Sequence, residues 1–450
     1  MLNRLLGLLP PAIRDAAVTA GSTRLQIARR GGEYGLWRRR YKGWRGLTYE
    51  KLVELQQNRL QQFLRYAADE SPYYRVRLKG LPELALKHIP ILEKVDLQTN
   101  IDQIVVGDKK HMVPCFTGGT TGSGITVYSR KQDLQERIAI LDSFWEMHGF
   151  HLGRDRIAWF SGRNLVWDRD VQIGRFWRDN WLYKVRYYST FHMSRDRLAA
   201  YVRNICDFRP RFFSGFPSAI SELARFIDLQ RVRLPFTPSA VFVTSETLTA
   251  NQREVIERVF GCKVRDQYCA SEGAPFIVEC PCGSMHLDIT TGVVEVVDDN
   301  GNEADEGEML VTAFFTRGTP IIRYRIGDSI KLSPARRCPC GWDTPLVERI
   351  HGRTTDYIEV PGHGRIFCSQ IGDCVKGVET VLKFQVEMSG GALQVYLVAD
   401  AQAFEARDKQ TFLHKVHERM GDVPVAFHYV DDIPRARSGK HTVVRKASPR

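Results

Sequence analysis

Short apolar strands alternating with amphipathic helices predict an α/β protein. It has a large domain with a helical N-terminal segment, followed by a small C-terminal α+β domain. Two observations carry this. Between Ser218 and Arg265, helix-like and strand-like periods alternate, as a largely parallel sheet requires. From Gly292 the pattern changes to hairpins, and after Gly352-Arg353 a separate mixed unit begins. The expected segments are 1–105, helical; 106–352, the remainder of the large domain; and 353–450, the small domain. Of the 450 residues 43% are hydrophobic and 26% charged, which excludes a disordered chain.

The start, Met1-Leu-Asn-Arg-Leu-Leu-Gly-Leu-Leu-Pro-Pro11, is too short an apolar run for a secretory signal and reads as a packed or surface-lying helix. No stretch approaches the roughly 20 apolar residues of a membrane span. Arg38-Arg39-Arg40-Tyr41-Lys42 reads as a solvated basic face or as a peripheral contact with an anionic membrane surface. Leu52, Leu55, Leu60, Phe63 and Leu64 give Leu47 to Ala68 a helical period, and residues 131–148 form another helix. An aromatic tract from Trp159 to Phe191, including Tyr188, is either the lining of an apolar pocket or plain core. Ser218 to Leu229 is helical and Ala240 to Thr244 is a buried strand. Thr249-Ala-Asn-Gln252 is a capping box for a helix that stops at Gly261, and Lys263-Val-Arg265 opens the next strand. Val293–Val297 and Met309–Phe315 flank a turn at Asp299-Asn-Gly301.

Lys+Arg 64 against Asp+Glu 52 leaves a net charge of +12, which favours anionic partners: nucleotides, coenzymes, phospholipid or nucleic acid. Ten cysteines are too few for a disulfide scaffold in a chain this long. Four of them recur as Cys280-Pro-Cys282-Gly and Cys338-Pro-Cys340-Gly, a thiolate pattern for structural Zn²⁺ in a reducing, cytoplasmic compartment. The Cys-x-Cys spacing is tight, so His286 competes with them, and four of these five residues are expected to bind the ion.

Several loops carry chemistry. Thr117-Gly118-Gly119-Thr120-Thr121-Gly122 brings backbone and hydroxyls close to phosphate oxygens, without the Gly-Lys-Ser/Thr of a Walker loop. Tyr268-Cys-Ala-Ser271-Glu272 closes a strand, where a carboxylate can hold Mg²⁺. Arg323-Tyr-Arg-Ile-Gly-Asp328 reads as a strand ending in a Gly-Asp turn, its Asp able to accept from ribose hydroxyls. Arg349-Ile-His-Gly-Arg353 follows. Near the chain end, Pro434-Arg-Ala-Arg-Ser-Gly-Lys440 sets a Lys on a flexible turn, able to neutralise a reacting phosphate. No Ser, His and Asp form a recognisable triad, and Cys269 reads as buried filler.

In this fixed order the motifs resemble the adenylate-forming (AMP-binding) superfamily, over Thr117 to Lys440. Pro90-Ile-Leu92, Gly215-Phe216-Pro217-Ser218, Thr244-Ser245-Glu246 and the Cys-x-Cys-Gly knuckle before Gly-Arg narrow the resemblance to phenylacetate–CoA ligases and capsular-polysaccharide (CapK-like) ligases. The resemblance implies an adenylate-forming large domain and a mobile C-terminal cap. It implies ATP-dependent activation of a carboxylic acid, then transfer of the acyl group to a thiol, coenzyme A first among the acceptors. By resemblance Thr117 to Gly122 wrap the ATP phosphates, Glu272 binds Mg²⁺ and Asp328 the ribose. Arg353 lies near the nucleotide, Lys440 contacts carboxylate and α-phosphate, and Ser245, Glu246, Asp266, Gln267 and Tyr268 bracket adenine. Ser271 completes the nucleotide set; Lys440, Glu272 and Thr117 are the candidate catalytic residues, and Gly215, Phe216, Pro217 and Tyr188 line the acid pocket.

Two departures stand out. Ser123-Gly124 replaces the usual residue-Pro, and Thr355 stands where many relatives carry Asp or Lys as a hinge. Alternative acceptors are a carrier protein, or a sugar amine or hydroxyl in polysaccharide or secondary-metabolite biosynthesis. A different class is a non-catalytic zinc-containing protein that binds nucleic acid or membrane. The intact Glu272, Asp328 and Lys440 argue against it, and no nucleic acid is expected. A homodimer is compatible with the sequence.

Overall fold

The computed structural model describes residues 10–81, 85–116, 124–163, 165–335, 337–354, 356–360 and 362–445. The chain forms two compact units, each assembled from non-consecutive segments. The first comprises Met1–Thr23, Phe150–Arg265 and Thr354–Arg450; the second comprises Arg24–Gly149 and Asp266–Arg353.

In the first unit, four parallel strands run in the order Ala240–Val243, Phe212–Gly215, Ile157–Ser161, Val185–Ser189, with Trp177–Asn180 antiparallel at the edge. Phe212–Gly215 and Ala240–Val243 are buried at every residue, as strands covered on both faces must be. Helices Leu198–Phe208, Pro217–Leu229 and Ala250–Phe260 supply one cover. The capping box forms: Thr249 Oγ1 accepts from the Gln252 amide at 3.2 Å, and Gln252 Oε1 accepts from the Thr249 amide at 3.1 Å. Gly261 ends the helix at φ +67°.

Much of the aromatic tract is core, with Phe160, Phe176, Tyr187 and Tyr188 buried, whereas Trp181 is exposed. Tyr188 stacks on Phe160 (4.9 Å between centroids), and Phe176 stacks on Tyr201 (5.2 Å). Helix Pro11–Arg30 is anchored by Arg14 and Arg178, fully enclosed with Asp170 and Asp15 so that two charges of each sign cancel. The C-terminal segment is the expected α+β fold. Val381–Ser389 pairs antiparallel with Ala392–Ala399, which pairs parallel with Val425–Tyr429. Helix Lys409–Met420 contributes to the same apolar core.

The second unit is antiparallel. Gly292–Val297, Glu306–Ala313, Ile321–Leu332, Leu346–Arg353, Met285–Leu287 and Ile277–Glu279 follow one another, and Gln267 and Tyr268 pair with the last. The parallel sheet of the sequence reading is therefore confined to the first unit. Helices Tyr49–Glu70 and Lys131–Met147 occupy the two predicted positions. The basic cluster is not simply solvated: Arg38 pairs with Glu146, and Tyr41 donates to Glu136 Oε1 at 2.9 Å.

One expectation is corrected. Gly327-Asp328 is not a turn, because Ile321–Leu332 continues as a 12-residue strand through it. Its pairing with Leu346–Arg353 sets Asp328 opposite Arg353, and Gly327 takes φ +79° without bending the chain back. No helix among the described residues is long and apolar enough to cross a membrane.

Candidate active site and metal centre

Within the second unit, the cross-strand register builds a polar set around Asp328. The Tyr268 hydroxyl, at the end of its strand, donates to Asp328 Oδ2 at 2.8 Å. Arg353 Nε lies 3.2 Å from Asp328 Oδ1, and Arg353 Nη1 donates to the Ile326 carbonyl at 3.1 Å. Burial, then Asp328, pushes the Tyr268 phenol well above its usual value, so it is a fixed donor at neutral pH. Burial alone would lower the Arg353 guanidinium; Asp328 and then Glu272 raise it instead, so it stays charged. Glu272 is buried nearby, 6% exposed, and offers one hard carboxylate of the kind Mg²⁺ takes alongside phosphate oxygens.

The flanking residues are fixed by backbone contacts. Arg137 donates to the Ala270 carbonyl at 2.7 Å and to that of Ser271 at 3.3 Å. Gln267 is buried and its Oε1 accepts from Trp145 Nε1 at 3.1 Å; the Asp266 amide donates to Glu279 at 3.1 Å. Thr117, Gly118, Gly119, Thr120, Thr121 and Gly122, with Ser123, lie outside the described residues, as does Thr355. The strands flanking that loop, Val113–Phe116 and Thr126–Ser129, pair antiparallel.

Within the first unit, Gly215 ends its strand at φ +145°, where an added Cβ would overlap the Phe160 carbonyl. Phe216 and Pro217 follow, both buried. Ser245 is exposed at φ +71°, a strained setting for a serine. Both oxygens of Glu246 are engaged: Oε2 accepts from the Ser218 amide at 3.1 Å and Oε1 from the His441 amide at 2.8 Å. Lys440, next to His441, is half-buried, on a turn closed by the Gly439 amide on the Ala436 carbonyl at 2.8 Å. Tyr188 differs from expectation. It is 1% exposed with its hydroxyl on Asn204 at 2.8 Å, so it belongs to the core under any pocket and does not line one. Sequence reasoning missed Glu222, Lys383 and Gly162, all of which meet the Lys440 segment or its supports.

The knuckles converge in the second unit. Cys280, His286, Cys338 and Cys340 offer ligand atoms all within 4.8 Å of one another, and Cys282 is exposed outside the set. Cys280 Sγ lies 3.5 Å from Cys338 Sγ, and Cys340 Sγ lies 3.4 Å from His286 Nε2. Tetrahedral Zn²⁺ with bonds of about 2.0–2.3 Å separates its ligand atoms by roughly 3.5–3.8 Å, so the donors fit. His286 Nδ1 meets Thr344 Oγ1 at 3.1 Å, which leaves Nε2 to face the thiols, and the ring stacks on Trp342. Burial, then Arg45, pushes the imidazole down to about 4, keeping it neutral as a ligand must be.

A family model described as the CapK C-terminal domain matches residues 358–447. Protein CapK of Staphylococcus aureus is 31% identical over 401 residues, covering 86% of this chain and 88% of its own length. The phenylacetate-coenzyme A ligase of Thermus thermophilus is 26% identical over 342 residues, 70% of this chain and 73% of its own. The solved structure of 2-hydroxyisobutyryl-CoA ligase, in the postadenylation state with 2-HIB-AMP, matches with a TM-score of 0.71 at 18% identity, covering 89% of this chain and 91% of that one. The chain belongs to the CapK family, has the fold of the adenylate-forming ligases with their C-terminal domain, and is an enzyme of the AMP-forming ligase class.

Proposed function

We propose that this ligase activates a small apolar or aromatic carboxylic acid with ATP and passes the acyl group to the thiol of coenzyme A. In the first step a substrate carboxylate oxygen attacks the α-phosphorus. The bond from that phosphorus to the bridging oxygen breaks, pyrophosphate leaves, and an acyl-adenylate forms. In the second, the thiol sulfur attacks the acyl carbon, and the bond to the AMP oxygen breaks. Neither step calls for a dedicated base as much as for alignment and charge neutralisation.

The observation that carries the reading is the fixed carboxylate of Asp328. Tyr268 and Arg353 each engage one of its oxygens, leaving its remaining lone pairs for a ribose diol. Glu272 would hold Mg²⁺, which neutralises phosphate oxygens, and Arg353 and Lys440 would supply fixed positive charge around the nucleotide. Thr117 to Gly122 would cradle the β- and γ-phosphates, and Ser245, Asp266 to Tyr268 and Ser271 would flank the nucleotide. Glu246, expected beside adenine, has both carboxylate oxygens on the Ser218 and His441 amides and would hold the Lys440 turn instead of the base. Gly215, Phe216 and Pro217 would border the acid. Residues 353–450 would be the mobile cap. Coenzyme A as acceptor is supported by the name of the Thermus relative. Zn²⁺ on Cys280, His286, Cys338 and Cys340 would be structural, since four protein ligands leave no open position. A reducing, cytoplasmic location would keep these thiols available as metal ligands.

The test supplies ATP, Mg²⁺ and a panel of aromatic and short aliphatic acids with either coenzyme A or an amino sugar, and identifies the acyl product by mass spectrometry. An acyl-CoA formed with stoichiometric AMP supports the reading. An acylated amine formed without consumption of the thiol contradicts the choice of acceptor.

A further inference from the structure

The segment 434–441, which carries Lys440, is held at both ends by acidic side chains of the same compact unit. At one end Arg435 donates to Glu222 Oε2 at 2.7 Å and to Ser218 Oγ at 2.8 Å. Glu222 also faces Lys383 at 3.0 Å, and Lys383 reaches Asp432 at 2.6 Å and the Met193 carbonyl at 2.7 Å. The side chains of Glu222, Arg435 and Lys383 are 2%, 4% and 5% exposed, and the cluster of two cations and two carboxylates is neutral. At the other end Glu246 bridges the Ser218 and His441 amides. Between these clamps the backbone is in close contact: an added Cβ on Gly162 would overlap the Ser438 carbonyl, and one on Gly439 would stand 2.6 Å from Gly162 Cα.

A buried ion pair adds little net stability against an apolar substitute, but it is exacting about geometry, because a partner left alone bears a large desolvation cost. A clamp of this kind suits a segment that must sit in one position. We infer that Glu222 and Glu246 are positioning residues that hold the Lys440 turn for the adenylation step. The inference rests on the proposed function, in which the C-terminal segment takes a different position for the transfer step and leaves these contacts. Losing them therefore slows the first half-reaction and spares the second.

The test uses the full-length protein carrying E222Q or E246Q, both isosteric, and reads three quantities. Acid-dependent ATP–pyrophosphate exchange reports adenylation, and conversion of a synthetic acyl-adenylate plus coenzyme A to acyl-CoA reports transfer. Hydrogen exchange of the 434–441 amides reports the clamp itself, independently of any activity. The expected result is at least a tenfold loss of exchange, transfer within about twofold of the parent protein, and loss of protection in the segment. Glu246 is half-buried, so E246Q keeps the test valid if E222Q does not fold. Unchanged amide protection, or an equal fall in both half-reactions, overturns the inference. A parent protein that exchanges no pyrophosphate with any acid overturns the proposed function instead, and the amide protection still decides the clamp.

Discussion

Tyr268→Phe removes one hydroxyl from the Asp328 carboxylate and leaves the ring packed against its apolar neighbours. Arg353 remains on the other oxygen, so Asp328 stays paired but is free to turn about its side-chain torsion. A hydrogen bond to a charged acceptor is worth about 1.5–3 kcal/mol, which corresponds to roughly a 10- to 150-fold weaker hold on a ligand that needs the carboxylate in place. The assay is calorimetric titration of ATP into the parent, Tyr268→Phe, Asp328→Asn and the double variant. If Tyr268 acts on the nucleotide through Asp328, its replacement costs little once Asp328 is Asn. The cycle then shows a coupling of about 1.5–3 kcal/mol. Effects that add to within about 0.5 kcal/mol would refute the reasoning, since Tyr268 would then act on its own.

Two further outcomes are expected. Purified protein holds about one equivalent of zinc; Cys338→Ser loses it and Cys282→Ser keeps it, by metal analysis, because Cys282 stands outside the set. Less than about half an equivalent in the parent protein, or loss with Cys282→Ser, counts against the assignment. Burial, then Arg435, pushes the His441 imidazole down to about 4, where its Nε2 meets the Phe384 carbonyl at 2.8 Å. The folded value lies below the unfolded one of about 6.5, so this contribution to stability is complete above pH 6.5 and is lost as pH falls toward 4. Thermal unfolding between pH 7.5 and 4.5 should show a shallower decline in His441→Gln, and parallel curves would contradict this.

Local signals were legible where a few neighbouring residues decide the outcome. Thr249, Gln252 and Gly261 delimit a helix on their own, and Asn300-Gly301 sits in the turn between two strands as its residue types require. Gly327-Asp328 misled because a Gly-Asp pair has turn character, whereas the strand is continued by cross-strand partners that no local window contains. The aromatic tract is ambiguous for the same reason, since only the stacking of Phe160 on Tyr188 and of Phe176 on Tyr201 places those rings in the core. At the candidate metal site, tight Cys-x-Cys spacing leaves Cys282 and His286 in competition. The turns that aim Cys280, Cys338 and Cys340, with Thr344 behind His286, decide between them. The clamp on Lys440 was invisible in sequence because Glu222 and Arg435 are 213 residues apart.

Acid-dependent exchange of labelled pyrophosphate into ATP tests the central claim most directly. The account predicts exchange by the parent protein with at least one carboxylic acid, and loss of about a hundredfold or more in Lys440→Ala with the fold and ATP binding retained. Exchange that survives unchanged in Lys440→Ala, or no exchange with any acid by a parent protein that binds ATP, would contradict it.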